Sequence, residues 1–365
     1  MSSAPVGIGP QVGSGRTRYF VQLFDQEKNF LLVISTLLVA IGVVYEQASI
    51  ARWVGFALAG YSAVANDSVQ TLGTFIASNK NKPWWALWLF IGGIFLVTVT
   101  YSWMTYAGDV TYQRLASKGF ETAPMSFTYL QIAAPVVLIM LTRARIPVST
   151  TFLLLSCFAT DPASLGKVLT KSLLGYVVAF IGAIVVWLVI SKAAERWQAA
   201  GPAKPYWRVF QWATTGLLWS VWLMQDAANV AVYLPRSLGV LELGAFVAVI
   251  FFGLGFLFRF GGARVQQVVD EKSRVVDVRA ATLIDLVYCV VLYIFKIESQ
   301  IPMSTTWVFV GLLAGREIAM ALRGTTDGGL RNAARLMGKD LLFVSIGLAV
   351  SIGIALAANS AIVAS

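Results

Sequence analysis

The chain has no histidine among its 365 residues, only two cysteines, and little charge, with 13% Asp, Glu, Lys and Arg together. Each shortage removes a class of chemistry. Without an imidazole there is no histidine general base, proton relay or zinc ligand. Cys157 and Cys289 lie inside apolar runs with no CxxC spacing, so neither a disulfide nor a metal pair is expected, and both read as core residues. No GxSxG elbow surrounds a serine. The scarcity of charge excludes the soluble class, whose domains carry about a quarter charged residues.

What is there is apolar: 58% hydrophobic residues and a mean hydropathy of +0.73. A helix of about 20 apolar residues crosses a bilayer, and only helices or closed barrels can do so. Eleven such runs, some interrupted, occur near 29–47, 54–78, 84–105, 126–142, 147–160, 167–191, 209–235, 238–258, 280–298, 301–321 and 340–363. The expected fold is an all-α integral membrane protein. The first run lies too far from the N-terminus, and lacks the small-residue cleavage site, for a removable signal, so it is kept as a helix. The twelve tryptophans are expected mostly at the membrane interfaces, as "KPWWALW", Lys82 to Trp88, illustrates.

The net charge of +10 raises the question of nucleic acid, and the position of the charges answers it. With a cytoplasmic N-terminus and every run crossing, most of the 28 Lys and Arg fall in cytoplasmic segments, loop after loop, as the positive-inside rule requires. The basic balance is therefore topology, and no nucleic-acid partner is expected. The expected location is a plasma or inner membrane.

Two short segments are near-copies. "IPVSTTF", Ile146 to Phe152, returns as "IPMSTTW", Ile301 to Trp307. Each follows, at nearly the same distance, an acidic and amide-bearing segment: "ANDSVQ" around Asp67 and "QDAANV" around Asp226. One unit is used twice. Its odd number of crossings makes the second copy enter from the opposite side, an inverted repeat of the kind that builds secondary transporters around a midplane site. The organisation predicted is a tail 1–28, an added helix 29–53, a first half 54–192, a linker 193–208 and a second half 209–365. The motif segments are expected to be broken near mid-membrane.

Pro-X-Ser-Thr-Thr is a helix start, because proline has no N–H to lose and Ser or Thr can cap the free amides behind it. Two such starts, with Ser149, Thr150, Thr151, Ser304, Thr305 and Thr306, offer amides and hydroxyls to one oxyanion without a basic residue. Ser and Thr that merely pack within membrane helices are the blander reading, weakened by the matched second copy. Asp67 and Asp226 are costly inside a membrane unless paired, solvated or metal-bound. With Asn66, Gln70, Gln225 and Asn229 beside them they form oxygen-rich sets suited to Na+. Protonated spectators or a wet helix end are the competing readings. Asp285 is expected near the inner end of its helix, facing water.

At these residues the chain resembles the inorganic phosphate transporter family, the PiT-type sodium/phosphate symporters. That family carries a G-A-N-D-V-A-N-A signature and a P-x-S-T-T-H motif in each inverted half. Asn66, Asp67, Gly73 and Thr74 match the first signature, with Gln70 where the family has Asn; Asp226 and Asn229 match the second, with Gln225 for its first Asn. Pro147, Ser149, Thr150 and Thr151 match one P-x-S-T-T motif and Pro302, Ser304, Thr305 and Thr306 the other, while Phe152 and Trp307 replace the family histidine. "VGLLAG", Val310 to Gly315, is similar to the family's glycine pattern, and the Gly-Pro after the second signature is missing. The resemblance implies phosphate held by the Ser-Thr-Thr groups and Na+ held by Asp67, Asp226, their amide neighbours and Thr74.

The function expected is import of inorganic phosphate by Na+ symport, with no catalytic residue and no cofactor beyond the coupling ion. A sulfate or other oxyanion permease, coupled to H+ through Asp67 and Asp226, is the alternative. An intramembrane enzyme using Ser149 or Ser304 lacks a base, and a channel fits the cation-and-anion pattern poorly. Membrane lipid is the expected surround; homo-oligomerisation is left open.

Overall fold

The computed structural model describes residues 14–144, 146–159, 162–199, 201–261, 277–294, 304–324 and 329–359. Among them every regular element is helical. In chain order these are α1 (Ser14–Val44), α2 (Ala48–Thr71), α3 (Gly73–Ser78), α4 (Trp84–Thr105), α5 (Arg114–Ser117), α6 (Tyr129–Arg143) and α7 (Thr150–Leu153). A 3₁₀ turn, Leu155–Phe158, then leads to α8 (Pro162–Ala199), α9 (Tyr206–Ala231), α10 (Val240–Phe256), α11 (Val278–Leu292), α12 (Thr305–Leu322) and α13 (Gly329–Ala358). The chain is an integral membrane protein: stretches of α1, α4, α8, α10, α12 and α13 are each long and apolar enough to cross a bilayer. Helices α2 and α9 fall short in hydropathy, since they carry the buried Asn66 and Asp67, and Gln225, Asp226 and Asn229, while the described α11, at 15 residues, is shorter than such a span.

Several boundaries depart from expectation, each for a visible reason. Helix α1 already begins at Ser14, so part of the 1–28 tail is helical. The run 54–78 is interrupted at Leu72, where α2 gives way to α3. The expected break in the second signature does not occur. Helix α9 continues unbroken to Ala231, which keeps Asp226 and Asn229 on one helical face. The run 147–160 forms only the single turn α7 and the 3₁₀ turn, whose Ser156 hydroxyl donates to the Thr151 carbonyl at 3.3 Å, an alternative to continued helix.

Packing is reciprocal between the two halves. Helix α2 lies on α6 as α9 lies on α11; α9 also meets α4 as α2 meets α10. The fourth segment of each half packs on the fifth of the other, α12 on α8 and α7 on α13. Glycine makes the first of these crossings possible. A Cβ at Gly311 would stand 2.5 Å from the Tyr176 carbonyl oxygen, and one at Gly315 would strike that of Phe180, so the α12 and α8 backbones touch. Helix α1 is fastened to α6 by Glu27, whose carboxylate takes two hydrogen bonds from Arg143 at 2.5 and 2.9 Å.

The tryptophans divide differently from expectation. Trp84 and Trp85 are exposed, as interfacial anchors should be, but Trp187, Trp219, Trp222 and Trp307 are buried. Trp219 and Trp222 stack at 4.7 Å just before the second signature, and Trp219 Nε1 donates to the Ile91 carbonyl of α4 at 3.2 Å. Cys157 and Cys289 are both buried and free, as expected.

Candidate functional site

The two signatures and the two Ser-Thr-Thr copies converge at the centre of the bundle. Near the end of α9, Asp226 and Asn229 are one turn apart, so their side chains meet: Asn229 Nδ2 donates to Asp226 Oδ1 at 2.9 Å. The same amide nitrogen donates to Thr150 Oγ1 at 3.0 Å and Thr151 Oγ1 at 3.1 Å, crossing to the other half. Thr151 Oγ1 donates in turn to Asn229 Oδ1 at 3.4 Å. Gln225 is buried beside them, and its amide nitrogen finds no acceptor among the described residues.

The first signature makes the counterpart. Asn66 Nδ2 donates to Asp67 Oδ1 at 2.7 Å and to the Val148 carbonyl at 2.8 Å, while Thr142 Oγ1 donates to Asn66 Oδ1 at 3.4 Å. Thr306 Oγ1, from the second Ser-Thr-Thr copy, donates to that same Val148 carbonyl at 3.0 Å. One carbonyl, directly before Ser149, therefore joins both copies and the first signature. Asp67 is completely buried and Asp226 is 2% exposed, so the central carboxylates are removed from bulk solvent.

Ser149 and Ser304 do what a cap requires. Each has an extended backbone, φ −78° ψ 116° and φ −70° ψ 125°, and each Oγ accepts from the N–H three residues on, Phe152 at 3.3 Å and Trp307 at 3.4 Å. The Ser304 N–H donates to Ser172 Oγ of α8 at 3.2 Å, and the Thr305 carbonyl accepts from Tyr288 at 3.2 Å. Phe152 and Trp307, which hold the family histidine's places, are buried in one apolar cluster with Val344. Gln70 lies outside the residues whose side chains are described.

One expectation is corrected, and Thr74 bears on it, because its hydroxyl donates to Asp285 at 2.5 Å. Asp285 does not face water at the end of α11 but is buried, with Thr215 of α9 donating to its other oxygen. A polar file continues from there, Gln211 Nε2 to Thr215 at 3.4 Å and Asn79 Nδ2 to Gln211 Oε1 at 2.8 Å, with Asn79 Oδ1 accepting from Trp212 at 3.1 Å. The short α3, after the break at Leu72, turns Thr74 towards α11, which no period in the sequence announces.

Arg114 carries a charge on an element that no motif marks. It opens α5, in the connection between α4 and α6, and α5 packs against α9. Burial pushes its guanidinium down and the Asp226 carboxylate pushes it back up. Residues so distant in sequence give no motif. Chemically the centre offers two buried carboxylates, three side-chain amides and a set of hydroxyls, a donor-and-acceptor set matched to a cation next to an oxyanion.

No family model and no curated protein matches the chain. A solved structure described as "The sodium-dependent phosphate transporter" is similar to it, with a TM-score of 0.59 over 89% of this chain and 98% of that one, at 15% identity. The likeness is one of fold.

Proposed function

We propose that the chain is a secondary active transporter that moves inorganic phosphate by Na+ symport, without catalysis. The observation that carries this reading is the interlock of the halves: the second signature's Asn229 on the first copy's Thr150 and Thr151, and the second copy's Thr306 on the first copy's Val148. A likeness to a solved sodium-dependent phosphate transporter supports it. The reciprocal packing supports an inverted repeat in the two halves, and the charge bias supports a cytoplasmic N-terminus.

The amides lie between the two proposed sites. Asn66 and Asn229 turn their nitrogens to the aspartates and their oxygens to threonine hydroxyls. Thr150 Oγ1 accepts from Asn229 Nδ2, so its own O–H is still available to donate to an anion. Na+ and phosphate bound next to one another offset each other's charge, so each tightens the other and the coupling is reciprocal.

Radiolabelled phosphate uptake into proteoliposomes, with and without a Na+ gradient, tests the reading. Uptake driven by the gradient, with an apparent KM that falls as Na+ rises, is the expected result. Sulfate uptake that ignores Na+, with no phosphate uptake, would replace it with the permease reading.

A further inference from the structure

The two stacked indoles of α9, Trp219 and Trp222, are both buried, yet their nitrogens are treated differently. Trp219 Nε1 donates to the Ile91 carbonyl of α4 at 3.2 Å. Trp222 Nε1 has no acceptor among the described residues, although the residue is only 4% exposed. One turn on, Gln225 is 4% exposed as well, and its Nε2 also lacks an acceptor among them. Buried N–H groups are almost always paired, because an unpaired one gives up its bond to water and gains nothing in return. Two of them on neighbouring turns of one helix point to a shared partner.

The helix fixes where that partner lies. Thr215, Trp222, Asp226 and Asn229 follow one another at spacings of seven, four and three residues, so they form one stripe along α9. At one end of the stripe Thr215 bonds Asp285, and at the other Asn229 bonds Thr150 and Thr151. Helical side chains lean towards the N-terminus of their helix, so the ends of Gln225 and Asp226 lie over the turn that carries Trp222. The two unpaired nitrogens therefore border the same centre as the carboxylate and the threonine hydroxyls. Their chemistry names the class of partner. An indole N–H and an amide N–H only donate, so neither nitrogen can ligate Na+. Both need an acceptor, and a charged acceptor makes the stronger bond.

We propose that Trp222 Nε1 and Gln225 Nε2 are anion-binding donors, which hold oxygens of the transported oxyanion alongside the hydroxyls of Thr150 and Thr151. The inference rests on the transport reading of this site and adds Trp222 to it. Gln225 then serves both ions, its amide oxygen facing Na+ and its nitrogen facing the anion.

The test is phosphate affinity, measured by equilibrium binding of radiolabelled inorganic phosphate to the purified full chain in saturating Na+. Trp222→Phe keeps a ring for the stack and deletes the N–H. It is expected to bind phosphate about 10- to 150-fold more weakly, the value of a hydrogen bond to a charged group. Trp219→Phe makes the same cut at the paired indole, and is expected to lower the thermal unfolding temperature while phosphate affinity stays near the native value. Gln225→Met removes the second donor at similar length, and saturating Na+ covers the loss of a cation ligand. It is expected to weaken phosphate binding by a similar factor, and it decides the matter if Trp222→Phe does not fold. Native phosphate affinity in Trp222→Phe or in Gln225→Met, with native protein that binds phosphate, shows that water alone meets these nitrogens; it overturns the proposal and leaves transport standing. Equal losses of affinity in Trp219→Phe and Trp222→Phe also overturn it, since ring packing and not the N–H then carries the effect. Native protein that shows neither phosphate binding nor Na+-driven uptake overturns both readings.

Discussion

The two Pro-X-Ser-Thr-Thr segments begin alike and continue differently. Ser149 and Ser304 share the same cap geometry, yet the first launches a single helical turn and the second an 18-residue helix. The downstream residues explain it. After Thr306 come Gly311 and Gly315, which let the helix run along α8 in backbone contact. After Thr151 come the back-bonding Ser156 and the proline that starts α8. The first copy consequently contributes hydroxyls and the Val148 carbonyl, whereas α12 also contributes the positive end of a long helix. Equivalent sequence marks do not carry equivalent electrostatics.

The sharpest way to break the equivalence is at the carboxylates. Asp67→Asn and Asp226→Asn should each abolish Na+-driven phosphate uptake in proteoliposomes while the protein still folds, because each removes the charge that compensates a desolvated ion. If either variant transports normally at neutral pH, that half is structural.

The glycines come next. Gly315→Val inserts a side chain against the Phe180 backbone, which cannot yield without parting α12 from α8. Overpacking of this kind costs about 1 to 3 kcal/mol or more, and thermal unfolding in detergent should show it. Gly347→Val tests the counterpart, since its Cβ would lie 2.7 Å from the Pro147 carbonyl at the start of the first copy. Gly353→Ala, with open space around it, should unfold near the native temperature.

At the hydroxyls the comparison is quantitative. Thr150→Val or Thr151→Val should weaken apparent phosphate affinity roughly 5- to 150-fold, the value of about 1 to 3 kcal/mol for a hydrogen bond to a charged group. Ser304→Ala should in addition lower stability by about 0.5 to 2 kcal/mol, because it uncaps a long helix, and Ser149→Ala should do so by less. Equal stability losses would erase the distinction between the two starts.

Much of this was legible in sequence, and the reasons differ by residue. The duplicated marks located Asp67, Asp226 and both caps because helix starts and buried acids have local signatures. Asn229 and Asn66 were legible as neighbours of acids, although their bonds to Thr150, Thr151 and Val148 depend on helices that cross. Asp285 was misjudged because its depth is set by α3 and α9 packing on α11, not by its own helix. The buried Trp219 and Trp222 were misjudged for the same reason: composition shows an amphipathic ring, and only packing decides between interface and core.

The smallest expected effect separates the third helices of the two halves. Helix α6 opens with a neutral box, in which Thr128 Oγ1 accepts from the Gln131 N–H at 3.3 Å and Gln131 Oε1 accepts from the Thr128 N–H at 2.8 Å. Helix α11 opens with a charged cap: Asp277 accepts from the Arg279 N–H at 2.8 Å and from its guanidinium at 2.7 and 3.1 Å. The Arg279 hydrogen bonds hold the Asp277 carboxyl below the ordinary aspartate value, against the opposing effect of burial. A depressed value contributes stability that is fully present above the unfolded value of about 3.9 and is lost as pH falls through the folded one. Acid should therefore weaken the first turn of α11 and leave that of α6 intact. Asp277→Asn should remove that part of the acid sensitivity. Thr128→Ala should cost about 0.5 to 2 kcal/mol by loss of a cap, by the same amount at every pH. Thermal unfolding of both variants at neutral pH and in acid checks this. A pH-dependent cost for Thr128→Ala, or unchanged acid sensitivity in Asp277→Asn, would show that the first turns of α6 and α11 do not differ in the charge of their caps.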